Sequence, residues 1–243
     1  MITMLYGCMN RESNLMESLH SWIGVKEINE IVVVDWSSEK SLYDNVEMRV
    51  LVRKKKVRLI RVDGEEYYSL ASSYNLAFNS SVKNKIVFKC DSDYKNIDAS
   101  WIKYLVRNSG GYLDNYFIVG SHLFYKPLTG LLVVNKSDFL YYNENFEGWG
   151  MDDYDLHERI MDSKVGSDFQ KVIFFDVKRY IYHLPHSDKD RTINYKYKDM
   201  DTSRLRNRSL CGSKFVVSEF DTILKDNNYT VLKKKKNRTK IYL

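Results

Sequence analysis

The chain has 243 residues, of which 44% are hydrophobic and 29% are charged. This composition can bury one sizeable core and excludes a disordered or fibrous chain. The sequence contains no run of about 18 apolar residues, so we expect no membrane-spanning helix. The three cysteines lie far apart and form neither a disulfide framework nor a zinc-binding spacing, so we expect a reducing, cytoplasmic setting.

The formal net charge of +6 comes from the C-terminal end, where residues 233–240 include six lysine and arginine side chains. The rest of the chain is close to neutral, which argues against a general nucleic-acid-binding surface. We expect residues 233–243 to form a solvated, partly disordered basic tail. Weak attraction of residues 233–240 to an anionic membrane face is the alternative.

The first half of the chain alternates apolar runs with segments of helical periodicity. Strands are predicted at 2–6, 30–35, 57–62 and 85–90, and helices near 15–23, 67–78 and 101–106. The run 30–35 is apolar on both faces, as is typical of a buried parallel strand. This order predicts a doubly wound α/β sheet in which ligands bind beyond the carboxyl ends of the strands.

The second half of the chain is more mixed. Strands are predicted at 116–119, 131–135, 172–175 and 181–183, and helices at 152–161, 205–211 and 220–225. The glycine pair within 108–115 indicates either a mobile segment or a surface turn. No stretch rich in Pro, Gly and Ser divides the chain, so we expect one domain over residues 1–232.

Two carboxylates follow the fourth predicted strand, in the sequence Asp91-Ser92-Asp93. Carboxylates one residue apart at the end of a buried strand can hold a divalent ion that a diphosphate also binds. Hard oxygen ligands suit Mg²⁺ or Mn²⁺. A simple turn at the end of the strand is the structural alternative, because Asp and Ser both favour turns.

The segment FEGWGMDDYDL combines a Gly-Trp-Gly triplet with acids at the start of a predicted helix. Gly148 and Gly150 allow a tight turn and the close approach of a ligand, and the Trp149 indole can stack on a sugar ring. Asp152 and Asp153 fall in the first helical turn, where the helix dipole favours their ionised form. An ionised carboxylate beside a hydroxyl group can act as a general base. An ordinary helix N-terminus explains the acids but not the Gly-Trp-Gly triplet.

Two further pairs carry weaker signals. His183 ends the strand predicted at 181–183, and His186 follows it. The pair can supply an imidazole to a metal, although a single histidine is more often a structural residue. Asp35 and Trp36 follow the second predicted strand. They either contact a nucleobase and ribose or cap the next segment.

These features together resemble the GT-A-fold, nucleotide-sugar-dependent glycosyltransferases of the large inverting family 2 type. The C-terminal half resembles the galactosyltransferase and chondroitin-polymerase group. The matching stretches are GCMNRESNLMESLHSW, EIVVVDWSS, SLASSYNLAF, KIVFKCDSD, FEGWGMDDYDL and HLPHSD. The resemblance implies a single Rossmann-like domain with a mostly parallel sheet flanked by helices. Its nucleotide-binding half would span residues 1–107 and its acceptor-binding half residues 108–232.

The resemblance also implies a role for each motif. The donor nucleotide would be bound by Gly7, Cys8, Asn10, Arg11, Asp35, Trp36, Asp91 and Ser92. Mn²⁺, or Mg²⁺, would be bound by Asp93 and His186, with His183 and Asp91 as further candidates. The sugars would contact Gly148, Trp149, Gly150 and Asp152. Asp153 matches the family's catalytic base, and Asp152 replaces a glutamate, so either aspartate can be the base.

The implied reaction moves a sugar, with inversion, from a nucleotide-sugar to a hydroxyl group of a glycan or glycoconjugate acceptor. A UDP-sugar is favoured by analogy. A nucleotidyltransferase would share the alternating sheet and the acidic metal site, but GCMNRESN lacks the glycines of its usual phosphate loop. A catalytically inactive carbohydrate-binding domain is the second alternative.

Overall fold

The computed structural model describes residues 1–54, 56–80, 84–108, 116–122, 126–167, 170–174, 179–213 and 215–242. Its strands are β1 (Ile2–Cys8), β2 (Ile28–Trp36), β3 (Val57–Asp63), β4 (Ile86–Cys90), β5 (Tyr94–Asn96), β6 (Tyr116–His122), β7 (Lys126–Asn135), β8 (Gln170–Phe174), β9 (Ile181–His183), β10 (Phe215–Asp226) and β11 (Tyr229–Tyr242). Its helices are α1 (Glu12–Trp22), α2 (Val46–Arg53), α3 (Leu70–Ser80), α4 (Ser100–Asn108), α5 (Asp152–Asp162), α6 (Asp188–Thr192) and α7 (Met200–Arg208). The glycine pair predicted as a mobile segment or turn lies outside the described residues.

A single large sheet runs through the described part of the chain, in the strand order β10-β11-β3-β2-β1-β4-β7-β6-β8. Five consecutive strands of this sheet run parallel to one another, in the order β11-β3-β2-β1-β4. Strand β7 is antiparallel to β4 and β6, and β8 returns parallel to β6. The predicted single-domain α/β architecture with a mostly parallel sheet flanked by helices is confirmed.

The central strands are buried because their residues are apolar on both faces. Every residue of β1 and β4 is buried. On one side of the sheet, Trp22 of α1 packs edge-to-face on Phe88 of β4, with ring centroids 5.1 Å apart. The Trp22 indole N–H donates a hydrogen bond of 2.9 Å to the Tyr94 carbonyl. Helix α1 therefore fixes the segment that follows β4, where the paired aspartates lie.

A second, small sheet brings the late histidines to the edge where the parallel strands end. Strand β5 pairs with β9 so that Tyr94 lies opposite His183. The Leu184 N–H then donates a hydrogen bond of 2.8 Å to the Asp93 carbonyl. Residues about ninety positions apart in the chain thus become neighbours through backbone hydrogen bonds.

The structure corrects two predicted helices near the C-terminus. The segment predicted as a helix at 220–225 lies within β10, which forms a long antiparallel hairpin with β11. The missed signal is the Asn227-Asn228 pair at the hairpin turn, where Asn227 has a positive φ of 44°. The helix predicted at 205–211 begins earlier and forms α7, whose first turn is capped by the Asp199 side chain at a distance of 2.7 Å from the Thr202 N–H.

The basic C-terminal segment also differs from its prediction. Residues 233–242 continue β11. This strand pairs in parallel with β3 from Tyr229 to Lys233, and its antiparallel partner is β10. The expectation of a partly disordered tail from residue 233 is therefore wrong through residue 242, and the predicted domain end at 232 falls inside a strand. No helix in the described ranges is long and apolar enough to cross a membrane.

The pairing of β11 with β3 generates a prediction about stability. Truncation after Asn228 would expose the edge of β3 and remove the buried side chains of Val231 and Leu232. We expect this truncation to lower the melting temperature by several degrees, because each buried aliphatic side chain contributes about 1.5–3 kcal/mol. Truncation after Lys235 keeps every β3–β11 pair and serves as the control. Equal melting temperatures for the two truncated chains, measured by circular dichroism, would contradict the prediction.

Candidate active site

A cavity of about 280 Å³ opens at the carboxyl ends of β1 and β4. Most of the residues predicted to bind substrate or metal line it, namely Gly7, Cys8, Arg11, Asp91, Ser92, Asp93, Trp149, Gly150, Asp152, Asp153, His183 and His186. The acids after β4 and those at the start of α5 thus face one space. This is the arrangement that the topology of a doubly wound sheet predicts.

A larger groove of about 960 Å³ lies beside this cavity and shares Arg11 and His186 with it. The predicted donor residue Asn10 lines this groove. Its side-chain amide donates to Asn194 Oδ1 at 3.1 Å, and its Oδ1 accepts from the Glu39 N–H at 2.7 Å. The two spaces together form a longer site, and Asp152 and Asp153 lie in its cavity part.

Asp93 lies at the junction of the cavity and the groove, beside three nitrogen-bearing side chains. Its Oδ2 atom lies 3.1 Å from His186 Nε2, 3.6 Å from His183 Nε2 and 3.3 Å from Arg11 Nη1. Burial alone would raise the pKa of Asp93, but the hydrogen bonds from both histidines and the charge of Arg11 hold that pKa below its usual range. Asp93 is therefore an anion at neutral pH.

The same three side chains have the composition of a metal site. One ligand atom each of Asp93, His183 and His186 lies within 4.8 Å of the others. The second carboxylate oxygen, Asp93 Oδ1, is buried and accepts no hydrogen bond from the described residues. A buried acceptor without a donor is costly unless a cation satisfies it, so the residues fit a divalent ion. The sequence left the choice between the two histidines open, and the structure brings both to Asp93.

Asp91 pairs with a buried lysine that also contacts Asp153. The Lys89 side chain has no exposed surface, and its Nζ lies 2.9 Å from Asp91 Oδ1 and 3.0 Å from Asp153 Oδ1. Tyr74 Oη donates to the same Asp91 oxygen at 3.1 Å. These donors occupy one oxygen of Asp91, so its carboxylate is held mainly by protein groups and lies outside the compact metal-ligand cluster.

Asp153 is the most firmly held acid of the site. Its Oδ1 accepts hydrogen bonds from Tyr142 Oη at 2.7 Å and from Lys89 Nζ at 3.0 Å. Among the described residues, its Oδ2 contacts only Lys89, at 3.3 Å. Burial raises the pKa of Asp153, and the charge of Lys89 counteracts that rise. Oδ2 is therefore the oxygen of Asp153 that is less engaged by protein donors.

Asp152 is buried, and no cation of the described ranges forms an ion pair with it. Its Oδ1 accepts a hydrogen bond of 3.0 Å from the Asp153 N–H. Burial, followed by the negative charge of Asp153, raises the pKa of Asp152 to about 7. The two neighbouring acids thus differ in their partners, since Asp153 contacts a lysine and a tyrosine and Asp152 contacts the backbone.

Two residues of the Gly-Trp-Gly triplet form part of the cavity wall. Gly148 and Gly150 have φ values of 79° and 95°, which side chains with a Cβ rarely adopt. A Cβ atom on Gly148 would lie 2.2 Å from Ser203 Oγ of α7, so Gly148 meets this helix, while Trp149 and Gly150 line the cavity. The Asn207 side chain fixes the loop by donating to the Gly150 carbonyl at 2.9 Å.

Asp35 and Trp36 take structural positions that differ from their predicted role at the donor nucleotide. Neither residue lines the cavity or the groove. The buried Asp35 carboxylate pairs with Arg61 at 2.8 Å and accepts from the Leu42 N–H at 2.9 Å. The Trp36 indole N–H donates to the Tyr67 carbonyl at 3.0 Å. Both side chains fix the turn after β2, which corresponds to the capping alternative.

Two buried residues of the site were missed by sequence reasoning. Lys89 lies in the run KIVFKC, and a lysine within an otherwise apolar buried strand is itself a signal, because lysine is rarely buried without a partner. Tyr142 offered no such signal, since it lies in an irregular segment and reaches Asp153 only through the tertiary fold.

Comparisons with known proteins agree with this architecture. A family model described as the N-terminal domain of galactosyltransferase matches residues 119–187, which include the Gly-Trp-Gly triplet and both histidines. No curated protein sequence matches the chain significantly.

Three of the solved structures that resemble the chain contain UDP or a UDP-sugar. An S. aureus TarS fragment in complex with UDP-GlcNAc superposes with a TM-score of 0.57 at 13% identity, over 76% of this chain and 59% of that one. GalNAc-T7 with UDP, GalNAc and Mn²⁺ superposes with a TM-score of 0.56 at 13% identity, over 75% of this chain and 44% of that one. A third structure is glucosyl-3-phosphoglycerate synthase from Mycobacterium tuberculosis with Mn²⁺, UDP and phosphoglyceric acid. It superposes with a TM-score of 0.56 at 11% identity, over 90% of this chain and 82% of that one.

These likenesses show that the chain has the predicted GT-A fold. Together with the family-model match, they support a glycosyltransferase. The chain spans about three fifths of the TarS fragment and less than half of GalNAc-T7.

The position of Lys89 generates a prediction about pH and stability. Lys89→Met would leave the buried Asp153 and the partly exposed Asp91 without their cation, and removing one partner of a buried ion pair typically costs about 3–5 kcal/mol. Without that cation, the carboxyl pKa values in the folded chain should rise above those in the unfolded chain. The folded chain would then bind more protons, so the loss of stability should grow as the pH rises from 5 to 8. Urea unfolding at both pH values measures this. Lys85→Met, at an exposed position just before the same strand, is the control. A deficit that is absent, or equal at both pH values, would contradict the prediction.

Proposed function

We propose that this chain is a metal-dependent, inverting glycosyltransferase that moves a sugar from a nucleotide-sugar to a hydroxyl group of a glycan or glycoconjugate acceptor. One observation carries the proposal. The Asp93–His183–His186 cluster and the Asp152–Asp153 pair line the same cavity. Such a cavity can hold a leaving group at one end and a proton acceptor at the other.

The donor half of the proposal uses the groove beside Asp93. A nucleoside fits along the groove, and its diphosphate would then end at Arg11 and the Asp93 cluster. Asp93, His183 and His186 would hold a divalent ion, and their two imidazoles favour Mn²⁺ over Mg²⁺, which prefers oxygen ligands. When bound, the ion neutralises negative charge on a departing diphosphate. Mn²⁺ with UDP in the solved relatives supports a UDP-sugar donor.

Asp153 is the proposed general base of an in-line displacement. The acceptor oxygen forms a bond to the anomeric carbon while the bond from that carbon to the diphosphate oxygen breaks, and the hydroxyl proton passes to Asp153. A single displacement inverts the anomeric configuration. Tyr142 and Lys89 hold Oδ1 of Asp153. Oδ2, which has only the longer 3.3 Å contact with Lys89 among the described residues, would accept the proton. Asp152 would accept a hydrogen bond from a second acceptor hydroxyl.

A release assay distinguishes the three candidate functions. With Mn²⁺ present, a glycosyltransferase slowly releases nucleoside diphosphate from a nucleotide-sugar even without an acceptor. A nucleotidyltransferase instead releases pyrophosphate from a nucleoside triphosphate, and an inactive carbohydrate-binding domain releases neither. UDP-glucose, UDP-galactose, UDP-GlcNAc and GDP-mannose form the first panel. Pyrophosphate release, or no release from a full panel of nucleotide-sugars, would refute the proposal.

Asp93→Asn tests the metal site. The substitution removes the negative charge between the two histidines, so we expect Mn²⁺-dependent UDP binding to weaken by about 10–100-fold or more. Isothermal titration of UDP with and without Mn²⁺ measures the change. Asp162→Asn, at an exposed acid outside the cavity, should bind as the unmodified chain does. Unchanged Mn²⁺ dependence in Asp93→Asn would move the metal site elsewhere.

Asp153→Asn tests the general base. The amide keeps the shape of the side chain but cannot accept the proton, so transfer should fall by about 10²–10⁴-fold while UDP and Mn²⁺ still bind. The matched variant is Asp152→Asn, which should raise the KM for acceptor more than it lowers kcat. If Asp152→Asn loses kcat and Asp153→Asn keeps it, the two roles are reversed.

A further inference from the structure

Two arginines flank the tryptophan of the Gly-Trp-Gly triplet. The guanidinium carbons of Arg191, from α6, and Arg204, from α7, lie 5.2 Å and 4.9 Å from the centre of the Trp149 ring. Both arginines line the cavity together with Trp149. Cations at this distance from an indole gain a modest attraction from its π-system. Both guanidinium groups therefore lie close to the same indole in the cavity wall.

The charges of these arginines are poorly compensated by the protein. Arg191 lies 4.0 Å from Asp188, and Arg204 lies 3.8 Å from Asp201, whose side chains are 73% and 86% exposed. Such long, solvated pairs contribute little. No hydrogen bond links either guanidinium group to another described residue, so their N–H donors remain available to a ligand.

The other cations of the cavity are committed elsewhere. The buried Lys89 contacts Asp91 and Asp153, and Arg11 contacts Asp93. Arg204 lies against the Gly-Trp-Gly loop, because the Gly150 Cβ position is 3.9 Å from its Cγ and Nε atoms. The uncompensated positive charge of the cavity lining is thus concentrated beside Trp149.

We infer that the acceptor carries an anionic group, a carboxylate or a phosphate, which Arg191 and Arg204 bind beside Trp149. This inference rests on the proposed transferase function and names its acceptor class. Guanidinium groups match carboxylate and phosphate oxygens in charge and in planar geometry. An anionic acceptor must also approach a cavity lined by several aspartates, and the two arginines offset that repulsion.

Matched probe pairs test the inference on the full chain with UDP and Mn²⁺ present. Methyl β-glucuronide is compared with methyl β-glucoside, and glucose 6-phosphate with glucose, so that the two pairs distinguish a carboxylate from a phosphate. Binding is followed by titration calorimetry. We expect the charged member of at least one pair to bind about tenfold or more tightly than its neutral partner.

The variant that carries both Arg191→Gln and Arg204→Gln should reduce this preference to about twofold or less. Arg208→Gln removes a charge from the end of the same helix α7 but outside both spaces, and it should keep the preference. Equal binding within both probe pairs, or a preference that survives in the double variant, would overturn the inference. A loss of UDP affinity as large as the loss of charged-probe affinity would assign the arginines to the donor diphosphate and would also overturn it.

Failure of this inference can be told apart from failure of the transferase proposal. Mn²⁺-dependent release of nucleoside diphosphate tests the transferase function without any acceptor. If release is observed and the charged probes have no advantage, the acceptor class is wrong and the proposed reaction stands.

Discussion

A fully buried lysine links the two acidic motifs of this protein. Lys89 contacts Asp91 in the next residues of its own segment and Asp153 on a helix that begins more than sixty positions later. A lysine without exposed surface is stable only where anions surround it, and the reverse holds for the acids. The same triad that neutralises these charges also sets the distance between the end of β4 and the start of α5. The shape of the cavity therefore depends on an electrostatic contact within the core.

The metal-ligand cluster depends on a different constraint. Asp93 and the two histidines meet because β5 pairs with β9 and because the Leu184 N–H binds the Asp93 carbonyl. Backbone hydrogen bonds thus determine where His183 and His186 can lie. The cavity is assembled from a core ion pair on one side and a two-stranded sheet on the other, with the Gly-Trp-Gly loop closing it against α7.

Much of the fold could be predicted from periodicity, because β1, β2 and β4 are largely apolar runs buried on both faces, and β3 is apolar apart from two half-buried arginines and its final aspartate. The convergence of 91–93 with 148–153 followed from topology and from the family resemblance. The contacts within the site could not be predicted in this way. Asp35 and Trp36 end β2, but their side chains contact Arg61 and the Tyr67 carbonyl, since a short polar motif does not reveal which partners the tertiary fold will offer.

The C-terminal hairpin shows the same limit and has a consequence for how the chain folds. Helical spacing near 220–225 favoured a helix, yet long-range pairing determined a strand. Asn228 reaches the Val52 carbonyl across 176 positions of sequence, next to the pairing of β11 with β3. Contacts of such separation form slowly, because a large loop must close first. During synthesis, the edge of β3 therefore stays uncovered until β11 has also been made, and an open strand edge can meanwhile pair with other chains.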